Sequence, residues 1–263
     1  MHATSQLLAV ACLAAAPLAG QQSSGPADYR FTPALRPGQR LSISNIDGAI
    51  VVTQGGATAE ITVHKIVRRG DGSRVKAVME RVDDGYRICA VYLAPGEDRN
   101  TCSGANHGED HDNEPLDVDL RIDAKVPSGV TLSVHSVDGG IDARGIDAAT
   151  TIGTVDGDIT FDGKAPESLN TVDGRITATI ADAAWDHDVT VRSVDGSVDV
   201  TVPATINVML TGSSVDGGIT SDFPVTLAGK WGPRTMRGAI GTGGSRTLDV
   251  STVDGAIRLH RGR

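Results

Sequence analysis

Aromatic side chains are scarce in this chain, with 3 Phe, 3 Tyr and 2 Trp among 263 residues. Scarcity of large rings agrees with a thin core between two close sheets. Long apolar runs are also missing. Leu7 to Ala16 is the main apolar stretch, too short for a good membrane span, and no later segment approaches one. Positive charge is in deficit: the formal net charge is −9. That balance argues against nucleic acid and anionic membrane surfaces as partners, and it favours solubility. Catalytic signatures are missing too. There is no Gly-x-Ser-x-Gly elbow, no phosphate-cradling Gly-Lys-Ser/Thr and no Cys-x-x-Cys pair. No catalytic residue, cofactor or metal site is therefore assigned, and an enzyme is not expected.

What is present is a repeated phrase: apolar, any, Ser/Thr/Asn, Val/Ile, Asp, Gly, any, Ile/Val. It reads Ile43-Ser44-Asn45-Ile46-Asp47-Gly48-Ala49-Ile50 near the start. It returns around Asp138-Gly139, Asp156-Gly157, Asp173-Gly174, Asp195-Gly196, Asp216-Gly217 and Asp254-Gly255. From Asp138 onward the steps are 18, 17, 22, 21 and 38 residues. The last step reads as two periods, with a degenerate copy at Arg237-Gly238-Ala239-Ile240. Near-identical units at this period stack their turns, and do not build around one pocket.

Each unit has two short, β-branched, alternating stretches, such as Ser168 to Val172 and Asp158 to Phe161. Asp-Gly between them is a turn signal: Gly accepts positive φ, and Asp bonds its own downstream backbone. Two geometries fit, a hairpin tip or a solenoid corner where the chain passes into a second sheet. Val172 and Ile176 flank the turn, and a corner points both inward, which favours the corner. The fold class expected is all-β: a β-solenoid (β-helix or β-roll) of roughly 17–22-residue rungs, with a less regular N-terminal β region. Seven rungs at about 4.8 Å make a rod about 34 Å long.

The expected organisation is a signal peptide over residues 1–20, a linker over 21–38, an N-terminal β region over 39–130 and repeats over 131–263. Export to the periplasm, cell surface or medium follows from the leader. Strands are expected at Arg40 to Ser44, Ala49 to Gln54, Ala59 to Val67, Val75 to Arg81, Gly85 to Leu93 and Leu116 to Val126. Cys12 lies inside the leader, leaving Cys89 and Cys102 as an even pair, the sign of a disulfide in an exported chain.

The repeat phrase, the leader and the closing run from Gly238 to Ile257 resemble the bacterial DUF4097 family, described as adhesin-like with β-strand repeats. The resemblance covers most of residues 40–263. It implies an exported or cell-envelope β-solenoid and carries no catalytic residues. The function expected is a non-enzymatic envelope or surface scaffold for protein or glycan contact. The alternative is an envelope-stress sensory or regulatory module that binds a membrane partner, since some relatives are linked to envelope stress. A glycan hydrolase or lyase comes third.

Three further features carry a bland and a sharp reading each. The repeated Asp residues cap their own turns in the bland one and bind calcium in the sharp one. The phrase lacks the period and glycines of the calcium β-roll, so capping is favoured. The acidic loop 100–115 holds His107 and His111 four residues apart, outside the His-Glu-x-x-His order of zinc proteases; a solvated loop is favoured. Trp185-Asp186-His187-Asp188 has a sugar-binding look, but a turn whose Trp covers the core edge explains it more simply, and Trp231 is given the same part.

Overall fold

The computed structural model describes residues 28–103, 116–229 and 232–262. The apolar leader with Cys12, both histidines of the acidic loop, and Trp231 lie outside the described residues. Among the described residues one short 3-10 turn, Gly72–Arg74, is the single helical element, and every other regular element is a strand.

Two sheets, of eleven and ten strands, lie face to face. A rung is one strand in each. In the Asp156 rung, Thr150–Gly153 runs in the eleven-stranded sheet and Ile159–Gly163 in the ten-stranded one. The two do not pair with each other. Ile152 lies between Val134 and Leu169, and Ile159 between Ile141 and Ile176, all in parallel register. Asp-Gly is therefore a corner and not a hairpin tip, and the fold is a β-solenoid.

Strand alternation places the apolar positions inside. Ile43, Val134, Ile152, Leu169, Val191 and Val250 form one buried column, and Ile50, Ile141, Ile159, Ile176, Val198 and Ile257 the facing one. The buried ring of Phe161 is registered between Ala143 and Ala178. Two small neighbours make the room one aromatic needs, which is why the core holds so few.

Rung order departs from chain order at both ends. The rungs of Asp47, Asp138, Asp156, Asp173 and Asp195 stack in sequence. The next rung is that of Asp254, built from Thr247–Thr252 and Ile257–Gly262. The Asp216 rung, Val208–Ser214 and Ile219–Ser221, lies beyond it. The chain thus leaves one slot open after Asp195 and fills it with its own C-terminal segment. The segment Arg237 to Ile240 is not a rung in line: it lies in Arg234–Ile240, antiparallel to Val208–Ser214. A 38-residue step measures contour along the chain, and a detour through this capping strand accounts for it.

At the other end, Gly85–Tyr92 and Asp117–Val126 form a rung outside Asp47, pairing in parallel with Arg40–Ser44 and Ile50–Gln54. Residues 93–116 join these two strands, and 104–115 of them lie outside the described residues. The antiparallel strands Glu60–Arg69 and Val75–Val82 cover this end. At this end antiparallel strands edge both sheets; at the Asp216 end Arg234–Ile240 caps the eleven-stranded sheet antiparallel, while Ile219–Ser221, parallel to its neighbour, edges the other.

Cys89 and Cys102 form a disulfide, with Cα atoms 5.8 Å apart and a sequence separation of 13. It anchors the start of the loop over Val78, Val91 and Leu93, a small apolar cluster apart from the main core.

Candidate interaction edge at the Asp-Gly corners

All seven Asp-Gly pairs lie at bends joining the two strands of a rung: Asp47-Gly48, Asp138-Gly139, Asp156-Gly157, Asp173-Gly174, Asp195-Gly196, Asp216-Gly217 and Asp254-Gly255. The corner begins with a buried polar residue. Asn45, Ser136, Thr154, Thr171, Ser193, Ser214 and Thr252 all point inward. The hydroxyl of one rung donates to the Gly carbonyl of the preceding one: Thr154 to Gly139 at 3.2 Å, Thr171 to Gly157 at 3.0 Å and Ser193 to Gly174 at 2.9 Å. A buried hydroxyl needs such a partner, and the neighbouring corner supplies one at each step. Ser136 is the exception, with no partner for its Oγ. The equivalent acceptor, Gly48 O, already takes Asn45 Nδ2 at 3.0 Å.

The repeat glycines are required for closeness more than for turn conformation. Among the seven only Gly48 and Gly139 have φ in the left-handed range. At Gly174 a Cβ would stand 2.1 Å from Gly157 O, and at Gly196 1.8 Å from Gly174 O. Each corner's backbone lies against the next, and no side chain fits between.

Past the buried hydroxyl, alternation turns the next residue out. Val137, Val155, Val172, Val194, Val215 and Val253 are 40 to 42 % exposed. The inward placement expected for Val172 is thus reversed, while Ile176 is buried as expected. The inward place before the bend is held by Thr171, because the corner carbonyls need its hydroxyl.

The carboxylates form a second exposed line beside the valines. Self-capping is not what they do: among the described residues no backbone amide donates to any of the seven. Those amides are engaged between rungs, with Asp156 N donating to Val137 O at 2.8 Å and Gly157 N to Asp173 O at 2.9 Å. Neither is any of the seven in a salt bridge among the described residues. Arg175, two residues past Asp173, donates its Nε to Ser197 Oγ at 3.0 Å instead. Reduced hydration in the packed corner line, and then the neighbouring carboxylates, push Asp47, Asp156 and Asp195 above the usual carboxylate range. Among the described residues no group of three or more His, Cys, Asp or Glu side chains is arranged to hold a metal ion.

Other candidates are absorbed by the fold. Trp185 packs against the core and donates Nε1 to Asp182 O at 2.7 Å. Asp188 accepts from Thr247 N at 2.8 Å, and His187 lies 2.7 Å from Asp186 Oδ1. A cleft of about 510 Å³ near the loop is lined by Arg74, Lys76, Glu97 and Asp98. Its Lys76 is paired with Asp98 at 2.7 Å, and Arg74 Nε donates to Leu93 O at 2.9 Å. Among the described residues no helix is long and apolar enough to cross a membrane.

Residues 117–260 match the family profile described as Toastrack DUF4097. The chain belongs to this family. Two solved structures are similar to this Toastrack protein. One is a candidate cell adhesion protein from Clostridium sporogenes, 9% identical, covering 89% of this chain and 99% of its own, with a TM-score of 0.43. The other is a candidate adhesin from Bacteroides fragilis, 8% identical, covering 89% of this chain and 98% of its own, with a TM-score of 0.25. No functionally curated protein matches the chain in sequence.

Proposed function

We propose that this Toastrack DUF4097 protein is an exported, non-enzymatic scaffold of the cell envelope or surface, adhesin-like in that its corner edge contacts a protein or glycan. The observation that carries this reading is the line of six valines, each 40 to 42 % exposed, on consecutive rungs. A regular apolar line left open on an acidic, soluble rod is a contact surface. Export is supported by the apolar stretch before residue 20 and by the Cys89–Cys102 disulfide, a bond that persists in oxidising compartments.

The test immobilises the full chain and presents envelope extract, intact cells and a polysaccharide panel. The wild type is expected to retain cells or a defined envelope component, and Val155→Ser/Val172→Ser/Val194→Ser to lose that retention while melting normally. Turnover of any polysaccharide would overturn the non-enzymatic reading. Capture of one specific membrane protein would replace the adhesin-like role with a regulatory one.

A further inference from the structure

We propose that the corner edge is a docking surface for a cationic amphipathic helix, a peptide or protein segment with apolar residues along one stripe and Lys or Arg beside it. This rests on the scaffold reading above and names the chemistry of its partner.

The edge presents two parallel lines. Val137, Val155, Val172, Val194, Val253 and Val215, in that spatial order, are its apolar line. The residue after each is an exposed Asp. A partner that covers the valines necessarily faces the carboxylates. None of those carboxylates is in a salt bridge among the described residues, so an apolar partner without positive charge would strip water from unpaired anions. That is costly. A second copy of this chain would bring the same anionic line against itself, and an anionic membrane would repel it. Lys and Arg are the complement.

Spacing selects the helix. Rungs repeat about every 4.8 Å, and an α-helix presents one residue of a stripe about every 5.4 Å. The mismatch is about 0.6 Å per step, or about 3 Å over the five steps of the valine line, within reach of flexible Lys and Arg side chains. A strand laid along the rod offers same-face residues about 6.8 Å apart and falls out of step after two rungs. Six rungs span about 24 Å, the length of about 16 helical residues at 1.5 Å each.

The test uses synthetic probes on the full chain, read by fluorescence anisotropy. The probe is a helix of about 16 residues with Leu on one stripe and Lys flanking it. Its controls are the same helix with Glu for Lys, a scrambled sequence and a glucosamine oligomer. The Lys helix alone is expected to bind. Raising salt from about 0.1 M to about 1 M, which shortens the screening length from about 10 Å to about 3 Å, should weaken it strongly. Asp156→Asn/Asp173→Asn/Asp195→Asn should weaken it about tenfold, the combined size of three exposed ion pairs. Val155→Ser/Val172→Ser/Val194→Ser should do the same through lost apolar cover, and melting curves check that both variants fold. Equal binding of the Glu helix, unchanged affinity of either triple variant, or binding of the glucosamine oligomer but not the Lys helix would overturn the proposal. If the Lys helix does not bind while cell retention still depends on Val155, Val172 and Val194, the docking proposal fails and the scaffold reading stands.

Discussion

Thr252 Oγ1 donates to Gly196 O at 2.9 Å and to Val194 O at 3.2 Å, across 56 and 58 residues of sequence. The bond belongs to the same buried hydroxyl line as Thr171 on Gly157, yet it joins the last rung to one far upstream. The hydroxyl line is thus a structural element of the rod and not a byproduct of local turns. Thr252→Val keeps the shape and removes the donor, so it should destabilise by about 1–2 kcal/mol, a fall of several degrees in melting temperature. Ser136→Ala is the contrast. Its Oγ has no partner, and removing it should change stability by less than about 0.5 kcal/mol. Thermal melts of the two variants check this; equal losses would show that the line is not held by these bonds.

Close approach of corner backbones makes a second pair of variants. A Cβ at Gly196 meets Gly174 O at 1.8 Å, a backbone atom that cannot rotate away, whereas at Gly55 it meets nothing within 4 Å. Gly196→Ala should cost at least about 2 kcal/mol. Gly55→Ala should be neutral or stabilise by up to about 1 kcal/mol, since its φ is not left-handed and the unfolded chain loses freedom. Denaturant titration of both checks the difference. A mild Gly196→Ala would mean that the corners are further apart than described.

Much of this rod was legible from sequence because its determinants are local. Period, β-branched alternation and Asp-Gly spacing fix the corners, and the six strands expected before residue 130 lie within about two residues of those found. The errors came where a local reading meets a neighbour. Val172 looks like core by hydrophobicity, but the inward place belongs to Thr171, whose need is a carbonyl on another rung. Gly174 looks like a positive-φ turn residue, but its constraint is Gly157 O in the preceding rung. Asp173 looks like a cap, but the amides it would take are already bonded across the stack. The slot filled by Thr247–Gly262 leaves no local trace, because that rung's repeat phrase is as regular as the others.

The intercalated rung predicts an unusual response to truncation. In a solenoid whose chain end is its last rung, trimming shortens the rod. Here residues 247–263 include a rung lying between Asp195 and Asp216. Their removal leaves both sheets open in the interior and Val208–Ser214 without its parallel partner. A chain ending at residue 246 should lose its cooperative melt or expose residues 208–240 to protease. A truncated chain that melts cooperatively, with that segment still protected, would contradict the rung order.

Stacked carboxylates give the rod a pH dependence with a definite sign. In the folded state Asp156 and Asp195 are held above their ordinary range, by reduced hydration at the corners and then by Asp173, Asp138 and Asp254. The folded state therefore binds protons more readily than the unfolded one. Stability lost to these groups at neutral pH returns as pH falls through their folded pKa, and is fully recovered below about 3.9, the unfolded value. Groups such as Asp71, held down by Ser73, and Asp98, held down by Lys76, act oppositely and lose their contribution at still lower pH. Asp156→Asn/Asp195→Asn should be more stable than wild type at pH 7, with the gap in melting temperature closing as pH approaches about 4. A gap that widens on acidification would show that the carboxylates are stabilised by a partner in the folded rod.

Val172 and Ile176, four residues apart on one corner, separate surface from core most sharply. Val172 is 41 % exposed and Ile176 is fully buried. Ile176→Ala removes side-chain volume between Ile159 and Val198 and should cost about 2–5 kcal/mol. Val172→Thr keeps the β-branch and adds a hydroxyl where water reaches it, so its effect should stay within about 0.5 kcal/mol. Even Val172→Asp should fold, its added charge repelled by Asp173 and Asp156 but solvated. Equilibrium unfolding of the three variants checks the assignment. A large loss for Val172→Thr would put the valine line inside the rod and remove the edge on which the docking proposal depends.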